Sequence, residues 1–225
     1  MKLRGVDFGP VWAASGVQGF FGEGYWFHRL WKPFGLDFDG VTFVAKTTTL
    51  GPNAGNMPLR IDFTPRERRP KCIVVKPLQG AVLNSVGLSG PGAMALFSQR
   101  SWQLRRDPFF ISFMSIAKTP AERLEELRRF VIIFKGELRC FRAPVGLQIN
   151  YSCPNVGLHA EELVDEVREG LAIASELGVP IVPKFNAMLP VEAAVKISTH
   201  AACDGVCVSN TIPWGELPND INWEE

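Results

Sequence analysis

Apolar residues fall along the chain in short runs that alternate with longer stretches of helical period. The runs at 10–15, 41–46, 108–114, 145–150, 179–184 and 204–210 predict six strands, several of them continuously apolar, as strands covered on both faces are. Between them, 161–177 sets Leu163, Val164, Val167, Leu171, Ala174 and Leu177 on one stripe with Glu, Asp and Arg opposite, which predicts an amphipathic helix. The stretch 121–134 repeats that pattern through Leu124, Leu127, Val131 and Phe134, with Thr119 as cap and Pro120 as first helical residue. Further helices are predicted at 93–103 and from Pro190 to Ile197. Residues 51–90, rich in Gly, Pro, Arg and Asn, read as an excursion carrying a small strand pair.

Strands alternating with helices specify α/β architecture and a parallel sheet. A closed (β/α)8 TIM barrel needs eight strands and typically about 250 residues. Six fit here, so the expected fold is a TIM barrel that is incomplete in this chain, with about six βα units in a single domain spanning 1–225.

Composition narrows the function classes. A chain of 225 residues that is 46% hydrophobic can bury a sizeable core. Its 24 Lys and Arg against 23 Asp and Glu leave no overall electrostatic footprint for nucleic acid or an anionic membrane, so a small-molecule partner is expected, without nucleic acid. No apolar run reaches the roughly 18 residues that span a bilayer. The aromatic stretch from Tyr25 to Trp31 reads as a helix packed by its aromatics on the core, with a membrane-surface helix as the alternative. Five widely spaced cysteines without a signal peptide fit reduced thiols and a cytoplasmic location. Cys203 and Cys207 have no adjacent His pair, so no zinc site is expected there, and no other metal is implied.

Polar chemistry recurs where strands finish: Ser15-Gly16, Lys46-Thr47, Asn150 followed by Cys153, Lys184, and Asn210-Thr211. In a parallel barrel these positions share the face on which active sites are built. Two lysines, several amides and a thiol converging there point to an anionic ligand rich in hydrogen-bonding groups.

Four segments carry a family likeness: Lys46-Thr47-Thr48-Thr49-Leu50-Gly51-Pro52-Asn53-Ala54-Gly55-Asn56, Asn84-Ser85-Val86-Gly87-Leu88, Asn150-Tyr151-Ser152-Cys153-Pro154-Asn155 and Val208-Ser209-Asn210-Thr211. Taken in this order, they resemble the dihydroorotate dehydrogenase family of FMN-dependent barrels, and the cysteine in Ser-Cys-Pro-Asn resembles its soluble class 1 branch. Dihydropyrimidine dehydrogenase barrels have a similar Ser-Cys-Pro segment and stay open as the alternative.

The resemblance implies oxidation of dihydroorotate to orotate in pyrimidine biosynthesis, with FMN as cofactor and Cys153 as general base. It implies that Lys46, Asn84, Asn150, Asn155, Asn210 and Thr211 bind substrate, and that Ser15, Gly16, Lys46, Thr47, Asn150 and Lys184 bind FMN. A homo-oligomer or an electron-transfer subunit is the implied protein partner. The family's glycine-rich phosphate loops follow a seventh and an eighth strand, which lie beyond the six read here. A catalytically silent scaffold or fragment is the reading from a different class. His28, His159 and His200 match no site of the family.

Overall fold

The structure is a computed structural model that describes residues 1–151, 160–219 and 221–223. Its strands are β1 (Lys2–Leu3), β2 (Val6–Asp7), β3 (Val11–Trp12), β4 (Val41–Thr42), β5 (Ile73–Lys76), β6 (Ala81–Asn84), β7 (Phe109–Phe113), β8 (Val145–Asn150), β9 (Ile181–Asn186) and β10 (Cys207–Asn210). Its helices are α1 (Trp26–Trp31), α2 (Ala93–Ser98), α3 (Pro120–Glu137), α4 (Ala160–Ala174) and α5 (Val191–Ser198).

A parallel sheet organises the protein. Strands β7, β8, β9 and β10 pair side by side in sequence order, all parallel. On the other side of β7, Val44 and Thr48 bridge in parallel to Phe110 and Phe113, and β4 pairs in parallel with β3. Six parallel segments therefore lie in a row, from β3 at one edge to β10 at the other. The result is mixed α/β with a parallel sheet.

Period-two alternation sends side chains to two separate cores. Val145, Leu147 and Ile149 of β8 point toward the helices and join a cluster with Phe109, Ile111, Phe130, Phe134, Val167 and Leu171. On the opposite face Phe110, Val44 and Val182 form a second cluster with Leu3 and Phe8 of the N-terminal hairpin β1–β2. Phe8 and Trp12 each lie 4.5 Å from the Phe110 ring centroid. Gly146 is required here, because a Cβ at that position would overlap the Phe110 ring. The hairpin also ties the far end of the row: Arg4 Nε donates to Asp204 Oδ1 over 2.9 Å, just ahead of β10. One face of the sheet is thus covered by helices and the lower end of the other by the hairpin, leaving the strand C-termini to build a site.

The helix that follows β7 starts as its sequence dictates. Thr119 Oγ1 accepts from Glu122 N, the Glu122 carboxylate accepts from Thr119 N, and Pro120 takes the first helical position. Strand β8 has the predicted bounds, and the excursion 51–90 carries the expected pair, β5 antiparallel to β6.

Several expectations need correction. Strand 10–15 reduces to two paired residues, and 41–46 to two residues plus isolated bridges. The cause is a slip in register: Ala45 N donates to Phe110 O, and the next bond to β7 comes from Thr48 N to Ser112 O, leaving one extra residue on this strand. Strand 179–184 is displaced to Ile181–Asn186, and 204–210 begins only at Cys207, because Asp204 is occupied in accepting from Ile181 N. Helix 93–103 stops at Ser98, shortly before Arg100 takes a left-handed φ of 60°. Pro190 caps α5 from outside and is not its first residue.

The largest departure is α1, which buries no residue. Its aromatics stack on one another, Tyr25 on Phe27 at 5.7 Å, instead of on the core. Among the described residues, no helix is long and apolar enough to cross a membrane.

Candidate functional site

The site begins with the register slip on the strand after Val41. Because of the extra residue, the Thr47 side chain turns toward β7, where its Oγ1 lies 2.9 Å from Ser112 Oγ. Ser15, at the end of the β3 segment, lies 2.8 Å from Thr47 Oγ1 and donates to Ala45 O over 3.0 Å. Three hydroxyls from three neighbouring segments therefore form a chain along the strand ends. Gly16 follows with φ of 90°, and its open α-carbon face lies against the Lys46 stem. Tyr25 OH donates to the Gly16 carbonyl over 2.8 Å and pins that turn.

Lys46 is buried. Its ammonium donates to Ser89 O and stands 4.6 Å from the centroid of the Phe20 ring. Burial lowers its pKa from 10.5 to about 8, against a smaller upward pull from the Glu23 carboxylate. Ser89 is held in turn: its Oγ accepts from Met57 N and donates to Val86 O. Both ends of the 51–90 excursion are thereby fastened near Lys46.

A second group gathers at the ends of β8, β9 and β10. Asn150 and Lys184 are register partners, and Tyr151 N donates to Lys184 O over 2.9 Å. Asn210 Nδ2 donates to Asn150 Oδ1 over 2.7 Å, reaching across β9. Thr211 N donates to Asn210 Oδ1 over 3.0 Å, and Asn84 Nδ2 of β6 donates to Thr211 Oγ1 over 3.4 Å. Asn84, Thr211, Asn210 and Asn150 are thus one hydrogen-bonded string, with Lys184 in register beside Asn150. Burial also lowers the pKa of Lys184, partly offset by neighbouring Cys207, its register partner on β10.

Neither Lys46 nor Lys184 is in an ion pair among the described residues. Two buried ammonium groups without a carboxylate contact are costly in a protein interior and suit an anionic ligand. Cys153 and Asn155, expected as base and substrate contact, lie outside the described residues.

Sequence reasoning missed Gln148 and Asn186. Both are buried, and Gln148 Oε1 and Asn186 Nδ2 lack a hydrogen-bond partner among the described residues. They share the face of Asn150 and Lys184, two residues away on the same strands, so a period-two count from those residues finds them. Orphaned buried amides beside buried cations are the donor and acceptor set that a flat, heteroatom-rich ring with an anionic edge requires, and in this respect the residues fit a flavin.

No family model matches the chain. Among curated proteins it is similar to dihydroorotate dehydrogenase B (NAD(+)), catalytic subunit, of Desulforudis audaxviator, with 29% identity over 209 residues, covering 90% of this chain and 58% of that protein. It is likewise similar to dihydroorotate dehydrogenase A (fumarate) of Lactobacillus delbrueckii subsp. bulgaricus, with 28% identity over 223 residues, 94% of this chain and 62% of the relative. A third relative, dihydroorotate dehydrogenase B (NAD(+)), catalytic subunit, of Endomicrobium trichonymphae, is 28% identical over 211 residues, 91% of this chain and 58% of its own length. The chain spans about six-tenths of the length of these relatives.

Proposed function

We propose that this chain carries the substrate-facing and flavin-facing part of a dihydroorotate dehydrogenase-type oxidoreductase built on a (β/α)8 barrel, in which residues 1–225 belong to one domain. The observation that carries the reading is the pair of buried ammonium groups, Lys46 and Lys184, neither in an ion pair among the described residues, near the ends of parallel strands. The order of the four sequence segments and the names of the relatives support it.

Oxidation of dihydroorotate to orotate removes a proton from C5 and a hydride equivalent from C6. A bound FMN would supply the two-electron acceptor for the hydride. Ser15, Gly16, Thr47, Asn150 and Lys184 would hold it, with Gln148 and Asn186 offering an acceptor and a donor. Lys184 would contribute positive charge toward the bound cofactor. Lys46 offers its ammonium to the substrate carboxylate, and that anion would offset the cost of burying the lysine. Asn84, Asn150, Asn155, Asn210 and Thr211 orient the alternating N–H and C=O edge of the pyrimidine, since each amide presents both donor and acceptor. Cys153, as thiolate, takes the C5 proton.

The test is flavin binding followed by anaerobic reduction. With FMN in excess the chain shifts the flavin spectrum, and dihydroorotate bleaches the flavin faster than dihydrouracil, which lacks the carboxylate. Cys153→Ala keeps the flavin and slows bleaching by roughly 10²- to 10⁴-fold. An unshifted flavin spectrum in excess FMN, equal response to both substrates, or unchanged bleaching in the variant each overturns a stated part: cofactor, substrate class and base respectively.

A further inference from the structure

Behind the Asn150–Lys184 register pair, on the helix side of the sheet, two aromatic rings lie face to face. Strands β8 and β9 are interior to the row, and alternation sends Asn150 and Lys184 toward the site. The next residue on each strand, Tyr151 and Phe185, therefore points to the helices, where both pack in the main core. Their ring centroids are 5.6 Å apart at an interplanar angle of 12°. Tyr151 N donates to Lys184 O over 2.9 Å, one step beyond that register pair. Helix α4 closes on the stack from outside. A Cβ at Gly170 would overlap the Tyr151 hydroxyl oxygen, yet would stand 3.5 Å from the ring carbon Cζ, an ordinary contact. Gly170 is buried inside α4, where alanine is ordinarily the more stable helical residue, so the Tyr151 ring accounts for the missing side chain. Leu127 of α3 completes the socket, and the Arg123–Glu166 pair locks α3 to α4 beside it. The Tyr151 hydroxyl has no hydrogen-bond partner among the described residues, so packing of the ring, and not a polar contact, holds it there. Burial, reinforced by the Glu166 carboxylate, raises its pKa and keeps it protonated.

We propose that Tyr151 is a positioning residue for the polar strand ends, seated by Gly170: from the helix side it holds Asn150 and Lys184 in the register in which they meet a ligand. Displacing the ring draws the Tyr151 N–H from Lys184 O and carries Asn150 away from the Asn210 amide that bonds it. Close packing transmits such a shift across the sheet, because the stack has no void in which to relax. The ligand part of the proposal rests on the flavin reading above, whereas the seating of Tyr151 does not.

The experiment compares the full chain with Gly170→Ala, Tyr151→Leu, Tyr151→Phe, and Gly170→Ala combined with Tyr151→Phe. Two quantities are read: hydrogen exchange of the residue 151 backbone amide in the ligand-free protein, and the midpoint of a spectral titration with FMN. Gly170→Ala and Tyr151→Leu are each expected to speed that exchange and raise the FMN midpoint about tenfold, with far-ultraviolet circular dichroism unchanged. Tyr151→Phe alone is expected to stay within about threefold of wild type in both. Added to Gly170→Ala, it restores both readouts, because the alanine methyl then meets only Cζ. A structural role of Gly170 in α4 alone would show no such rescue. Unchanged exchange in Gly170→Ala and Tyr151→Leu, or a loss that Tyr151→Phe does not rescue, overturns the seating. Faster exchange with an unchanged FMN midpoint overturns the positioning of a ligand. A wild-type chain that leaves the flavin spectrum unshifted defeats the flavin reading, and the exchange comparison then decides whether Gly170 seats Tyr151.

Discussion

Asn210 donates its side-chain amide to Asn150 Oδ1 over 2.7 Å, joining the ends of β10 and β8 across the intervening β9. The two residues are 60 positions apart, and their bond sets the edge on which Lys184 lies.

This contact predicts energetic coupling. Asn150→Ala and Asn210→Ala, alone and together, form a double-mutant cycle whose coupling energy in urea unfolding is expected to be about 0.5–1.5 kcal/mol. Strictly additive losses would mean that the amides do not bond to each other.

Gly146 predicts a steric effect on the opposite face from the helices. Gly146→Ala drives a methyl group into the Phe110 ring and is expected to cost about 1–3 kcal/mol. Phe110→Leu in the same chain relieves the overlap, so the double variant should lose less than the two single losses added. Thermal or urea unfolding of the four proteins provides the measurement.

Lys46 predicts a pH dependence with a definite sign. Its pKa falls from 10.5 to about 8 on folding because the ammonium is buried. Between those values the unfolded chain binds more protons than the folded one, so stability rises with pH through the window. Lys184, lowered for the same reason, acts in the same direction. Tyr25, whose hydroxyl is pushed up to about 12 by burial, opposes the rise above pH 10. Lys46→Met is therefore expected to remove about 2 kcal/mol of the gain between pH 8 and 10. An identical rise in wild type and variant would refute the burial of the charge.

Two arginines on α3 predict contrasting losses. Arg123 Nε and Nη2 donate to the two oxygens of the buried Glu166 on α4 over 2.7 and 2.6 Å. Arg123→Ala strands that carboxylate and is expected to cost about 2–4 kcal/mol. Arg128 donates to Glu169 over 3.0 Å, with both side chains about half exposed, and Arg128→Ala is expected to cost only about 0–1 kcal/mol. Urea unfolding of both variants checks the order.

The α/β class was legible in the residues because each signal is local. The Leu163–Leu177 stripe, Thr119 and Pro120 as cap and first helical residue, and the apolar run of Val145–Asn150 all involve residues only a few positions apart. The polar strand ends were legible for the same reason, and the structure joins Asn84, Thr211, Asn210 and Asn150 into one string. Gln148 and Asn186 escaped notice because a polar residue inside an apolar strand reads as a minor interruption until the partners of its face are known.

Periodicity and capping are short-range properties, written into neighbouring residues, and they were enough to say which stretches become helix or strand and which strand ends carry polar groups. Contacts between distant segments were not available at that level. The extra residue that turns Thr47 toward Ser112, the bond from Asn210 to Asn150 and the clamp of Lys46 on Ser89 each depend on how the assembled sheet sets its registers. The exposure of α1 belongs with them: an aromatic run has the same hydrophobicity wherever it lies, and only the packing of the whole chain determines whether another element covers it.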